Sequence, residues 1–167
     1  MLKKPNCPVI ALEEHYSDPE LIALFTGRDA AAPPHVLKAL QDCGEARLKD
    51  MDAAGIDIQV LSHTAPSLQK LSDGAIELAR RVNDRLAQIV RTAPTRYAAF
   101  AALPTSDPAA AADELARCVE TLGMKGAMIT DLRTGISSTI SATGRSSRAP
   151  KRSMSRSTCI PRYRTRR

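Results

Sequence analysis

Short apolar runs alternate with helix-spaced stretches along the first 130 residues, and this alternation restricts the chain to a few architectures. Residues 8–12 form an apolar run ending in Glu13-Glu14-His15, the pattern of a buried strand with a polar tip. Residues 18–40 are mixed, broken at Pro33-Pro34, and read as helices and loops. Residues 46–54 have helical spacing, with Leu48 and Met51 on one face and Gly55 placed to stop the helix. Residues 56–61 then read as a second strand, followed by Ser62-His63-Thr64. A long helix is expected over about 73–92, where Ile76, Ala79, Val82, Leu86 and Ile89 recur at i+3 and i+4 and Pro94 marks the end. Residues 97–103 form a third strand candidate, closed by Pro104. Asp107-Pro108 opens another helix, with Leu115, Val119 and Leu122 on its apolar face. After Gly123, residues 125–129 begin a fourth strand.

Strands separated by helices over short loops imply an α/β fold, with a parallel sheet and crossover helices. The pattern leaves a Rossmann-like sheet and a TIM barrel both open. No G-x-G-x-x-G or Walker loop follows any strand, which weakens the nucleotide-binding version. Composition agrees with a helix-rich α/β chain: 43% of residues are apolar, many of them Ala, and only 3% are aromatic. A chain of 167 residues suffices for one ordinary domain. Cys7, Cys43, Cys118 and Cys159 are scattered without a C-x-x-C pair, so neither a zinc ribbon nor disulfides are expected. No stretch approaches the ~20 apolar residues that cross a bilayer, and the N-terminus turns acidic too soon for a signal peptide. The expected location is the cytoplasm.

The net charge of +6 conceals a break. Up to Asp131 there are 14 Lys and Arg against 18 Asp and Glu; beyond it there are 10 basic residues and no acid. Residues 132–167 also carry 13 Ser and Thr and few large apolar side chains. Such a segment buries too little surface to offset its ordering entropy and is expected to be disordered. The chain therefore divides into a structured part, residues 1–130, and a basic tail, 131–167. Basic tails can bind nucleic acid through phosphates. Here only Tyr163 is interleaved with the Arg and Ser residues, so no evolved nucleic-acid role is indicated.

In a parallel barrel, active sites gather at the C-terminal ends of the strands. Glu13 and His15 follow the first strand two residues apart and can aim together at one cation, with oxygen and nitrogen donors suited to Zn²⁺ or Mn²⁺. Glu14 would face the other side. On spacing alone, an ordinary polar loop is the competing reading. His63 also ends a strand and is a candidate substrate contact at the same mouth, against the alternative of a hydrogen-bonded structural histidine. His35 reads as a loop residue.

The segment ALEEHY (11–16) resembles the opening of the metal-dependent decarboxylases of the amidohydrolase superfamily, the γ-resorcylate and 2,3-dihydroxybenzoate decarboxylase group. The resemblance continues through MDAAGIDIQVLSHTAPSLQ (51–69), ELARRVNDRLAQIV (77–90), RYAAFAALPTSDPAAAADEL (96–115) and LGMKGAMI (122–129). It implies the N-terminal half of a TIM-type (β/α)8 metal-dependent hydrolase barrel, incomplete in this chain. It further implies a carboxy-lyase, or alternatively a hydrolase, acting on a small carboxylated aromatic substrate with a divalent metal, Zn or Mn. Glu13 matches a metal ligand of that family, and His15 a ligand or substrate contact. Full-length members are expected to be homo-oligomers.

The family pattern also calls for a later L-H-P strand motif and a late acidic ligand, and neither occurs here. The codons of residues 142–161, read so that each triplet starts on the preceding third base, can encode RYRPIFARAEALDVPIYLHP. Two bases of each shifted codon come from the tail's own codons, with a choice of pair only at Ser and Arg, which limits the freedom to create a match. A frameshift near Ile129 is therefore expected, with this chain inactive alone. The competing reading is a non-catalytic α/β module whose basic tail docks on nucleic acid or another acidic partner.

Overall fold

The computed structural model describes residues 4–27 and 32–129. Its elements run β1 (Ile10–Tyr16), α1 (Pro19–Ile22), α2 (Pro34–Gln41), α3 (Glu45–Ala54), β2 (Ile58–His63), a 3₁₀ turn (Leu68–Lys70), α4 (Ala75–Thr92), β3 (Tyr97–Ala99) and α5 (Pro108–Glu120). The disorder expected for the tail, and the domain boundary at 130/131, fall outside the described residues.

The three strands form one parallel sheet in the order β1-β2-β3. Each new strand adds beside the last, as a closing barrel requires; a doubly wound sheet would reverse direction at a switch point. The third strand is shorter than its sequence suggested, because regular pairing ends at Ala99. The expected fourth strand is reduced to a single parallel bridge, Ala101 to Ala127, among the described residues. Backbone bonds from Lys125 N to Ala99 O and from Ala101 N to Gly126 O carry the sheet across to that segment.

Helix boundaries follow local chemistry. Asp18 and Asp107 each precede a proline and cap the following helix, accepting from Glu20 N and Leu21 N in α1 and from Ala109 N and Ala110 N in α5. Gly55 ends α3 at φ 73°, a conformation that costs a residue with a Cβ. The long α4 buries Ala75, Leu78, Ala79, Val82, Leu86 and Ala87 along one face. Tyr16, Met51, Leu61, Leu86, Leu103, Ala111, Leu115 and Cys118 contribute to one continuous core between sheet and helices. Each large aliphatic side chain there contributes roughly 1.5–3 kcal/mol by leaving water. A second cluster, including Leu21, Phe25, Leu68, Leu78 and Val82, seats α1 against α4. Among the described residues, no helix is long and apolar enough to cross a membrane.

Candidate metal centre

Register against β2 fixes the geometry of the first strand. Ile10 and Ala11 pair with Ile58 and Gln59, and Glu14, His15 and Tyr16 pair with Leu61, Ser62 and His63. Between Ala11 and Glu14, β1 advances three residues while β2 advances two, so β1 holds one extra residue: a β-bulge. Glu13 occupies it at φ +59°, and no other described residue except glycine has positive φ. A side-chain-bearing residue held there costs of order 1–3 kcal/mol unless its surroundings enforce it.

Three side chains bracket the bulge from the helix-facing side. Arg47, on α3, donates from Nε to Gln59 Oε1 at 2.8 Å and from Nη2 to the His15 carbonyl at 2.9 Å. Gln59, on β2, donates from Nε2 to Glu14 Oε2 at 2.9 Å. Glu14 is half-buried by this arrangement, whereas Glu13 and His15 are exposed. The structure thus brings Glu13 and His15 to one end of one strand and turns Glu14 away from them.

His63 goes elsewhere. It pairs in register with Tyr16, and their rings lie 5.0 Å apart, centroid to centroid. Adjacent residues of a strand point to opposite faces, so His63 shares the Tyr16 side of the sheet and not the His15 side. It is 4% exposed, and its Nε2 has no hydrogen-bond partner among the described residues. Burial, reinforced by the nearby Arg85 charge and opposed by Asp18, pushes its pKa down to about 4. The sequence left His63 between a substrate contact at the mouth and a hydrogen-bonded structural histidine; its side chain is buried on the Tyr16 face, because its strand parity follows Leu61.

Close by, the Asp18 carboxylate is fully buried and receives both Nε and Nη2 of Arg85, at 2.7 and 2.8 Å. Burial alone would raise this carboxyl, but the hydrogen bonds from Arg85 and Leu21 hold it below the ordinary carboxylate range. Tyr16 OH donates to the same carboxylate at 3.3 Å, and Arg85 reaches on to Glu20 at 2.8 Å. The Asp-Pro pair signalled the helix cap in the sequence. Nothing local signalled Arg85, 67 residues away, or the bracket from Arg47 and Gln59.

The donor set at the strand end fits a divalent cation in kind, one carboxylate and one imidazole, but is incomplete in number. No group of three or more His, Cys, Asp or Glu among the described residues is placed to hold a metal ion.

Comparison with known proteins places this geometry in context. The amidohydrolase family model matches residues 43–139, more than half of the chain. A γ-resorcylate decarboxylase from a Rhizobium species is 46% identical over 126 residues, covering 72% of this chain and 38% of the relative. A dihydroxybenzoic acid decarboxylase from Polaromonas, solved with manganese and the inhibitor 2-nitroresorcinol, superposes with a TM-score of 0.65 at 42% identity, over 74% of this chain and 38% of that one. The manganese-bound 5-carboxyvanillate decarboxylase from Novosphingobium aromaticivorans gives a TM-score of 0.72 at 31% identity, over 78% and 44%. The chain therefore spans about two fifths of the length of the relatives it matches. The consecutive parallel strands correspond to part of their TIM barrel, and this chain belongs to the amidohydrolase family, with decarboxylases as its homologues.

Proposed function

We propose that this chain carries the first part of a metal-dependent carboxy-lyase acting on small hydroxylated aromatic carboxylic acids. The observation that carries the reading is the placement of Glu13 and His15, exposed together at the C-terminal end of β1, in a chain whose homologues are decarboxylases, some solved with manganese. In this role Glu13 supplies a carboxylate ligand, while His15 supplies an imidazole ligand or holds the substrate. A divalent ion bound there supplies positive charge that neutralises the substrate carboxylate and an adjacent oxygen. His63 supports Tyr16 and β1 from behind.

Two donors are too few for a catalytic centre, so the chain alone is inactive in this proposal. The missing donors belong to codons that the present reading frame misreads. The shifted string RYRPIFARAEALDVPIYLHP supplies a helix-like stretch and then an apolar strand ending in histidine, as the next barrel unit needs. The restored protein would work as a homo-oligomer, which the family resemblance implies, and the cytoplasm is its expected location.

Resequencing the gene from the codon for Lys125 past that for Arg167, then expressing the restored frame, tests this. The expected product releases CO2 from a dihydroxybenzoate only with Mn²⁺ or Zn²⁺ present, and Glu13→Gln or His15→Ala lowers kcat/KM by at least ~100-fold. A confirmed sequence with no L-H-P string in any frame removes the frameshift. Hydrolysis of an amide or ester by the restored protein, without CO2 release, moves it to the hydrolases. Salt-sensitive nucleic-acid binding lost on deleting residues 132–167 would favour the binding-module reading.

A further inference from the structure

Glu13 stands in the left-handed region, where its side chain disfavours it, so something must hold it there. The bracket behind the bulge meets that need. Arg47 is half-buried and Gln59 is buried, so their mutual bond is sheltered from competing water. The guanidinium satisfies two acceptors at once, one on β2 and one on the backbone of β1, and its planar fork fixes the angle between them. Gln59 carries the constraint one step further to the Glu14 carboxylate. The residues flanking Glu13 on its C-terminal side are thus tied at a side chain and at a carbonyl, while Ala11 on the other side is fixed in register with Gln59. A strand pinned on both sides of one extra residue must absorb that residue as a bulge.

We propose that Arg47 is a positioning residue that, with Gln59 and Glu14, locks the β1 bulge in the conformation presenting Glu13 and His15 to a divalent cation. The cation part rests on the proposed function; the bulge part does not. Without Arg47, the Gln59 amide is free to turn and release Glu14, and the His15 carbonyl loses its donor. The extra residue stays between the paired segments, but its dihedrals are free to leave the left-handed region, and Glu13 loses its aim.

The test uses the full chain labelled with ¹⁵N at backbone and histidine nitrogens, as wild type, Arg47→Met, Arg47→Lys and Gln59→Leu. Scalar couplings and shifts at Glu13 report its φ. Paramagnetic broadening during an Mn²⁺ titration reports His15, with His35 and His63 as internal references. In the wild type, Glu13 shows positive φ, and His15 broadens at lower Mn²⁺ than the other two histidines. Arg47→Met loses the positive φ and needs about 10-fold more Mn²⁺ to broaden His15, while the His63 signal stays in place. Arg47→Lys, which can still donate to the His15 carbonyl, recovers part of both signals. Unchanged Glu13 φ and an unchanged Mn²⁺ midpoint in Arg47→Met would overturn the proposal. If that variant does not fold, the same two readings on Gln59→Leu decide it, since the bridge to Glu14 is then cut with Arg47 intact. Wild-type chain in which His15 is not broadened first would defeat the metal reading, and the coupling at Glu13 would still decide the role of Arg47.

Discussion

His63 illustrates what an interior position does to a titratable side chain. Its ring packs on Tyr16, Asp18 and Arg85 lie near enough to act on its charge, and Nε2 is buried without a partner among the described residues. Burial favours the neutral imidazole, which lowers its pKa from 6.5 to about 4. As pH falls, the unfolded chain therefore takes up this proton before the folded chain does. Between pH 6.5 and 4 the unfolded state binds more protons, so stability falls with pH, by up to about 3 kcal/mol in total. Above pH 6.5 the residue is neutral in both states and contributes no slope. His63→Leu should flatten the decline between pH 6.5 and 4 and leave stability at pH 7.5 equal or higher, since an unpartnered buried nitrogen disappears. Urea titrations at pH 7.5 and 5 check this; an unchanged slope in the variant would place the titration elsewhere. The sequence offered two readings of His63, and strand parity sets its ring on the Tyr16 face. Parity became knowable only once the core position of Leu61 was known.

At the scale of elements, the well-read pieces were those with a local cause. Helix α4 was legible from apolar spacing, α3 from Leu48, Met51 and the stop at Gly55, and α5 from Asp107-Pro108. The pieces left unread depend on distant partners: the bulge at Glu13, the bracket from Arg47, and the polar tie between α4, α5 and the segment after β3. That tie centres on Asn83, which is fully buried on the apolar face of α4. Its Nδ2 donates to Ala102 O at 3.0 Å and Glu114 Oε1 at 2.8 Å, and its Oδ1 accepts from Ala102 N at 2.9 Å. Glu114 is buried too and takes Arg117 as its charged partner. By pattern alone an asparagine there reads as a flaw in the stripe; in the fold it satisfies backbone groups where regular β3 pairing has ended. Asn83→Leu keeps the branched shape but leaves both backbone groups of Ala102 without their partner away from water, while Glu114 keeps its bonds from Arg117. It should cost about 2–4 kcal/mol, read as a lowered urea midpoint with an unchanged m-value. Asn83→Asp should also destabilise, by placing a second carboxylate against Glu114. A variant as stable as wild type would show that the tie contributes nothing.

At the scale of the whole molecule, the decisive feature among the described residues is an open edge. β1 pairs with β2 on one side, and no strand covers its other side among the described residues. Its Ile10 and Leu12 are 53% and 45% exposed, two of only four large hydrophobic residues so exposed in the described structure. In a closed barrel the first strand pairs with the last, and this chain spans about two fifths of the length of the relatives it matches. An unpaired strand with apolar side chains invites pairing with another chain. The alternating pattern made the parallel sheet legible, but which edge of it is paired depends on partners distant in sequence, and no local motif encodes that. The chain should therefore self-associate through β1. Sedimentation velocity across a 50-fold concentration range should show growing species for wild type. Ile10→Lys with Leu12→Lys should shift the distribution to monomer, because charge on an edge strand blocks edge-to-edge pairing. Hydrogen exchange locates the contact: backbone amides of β1 should gain protection with concentration in the wild type and not in the double variant, while those of α4 stay equally protected in both. A wild-type monomer at every concentration would mean that the edge is covered within the chain.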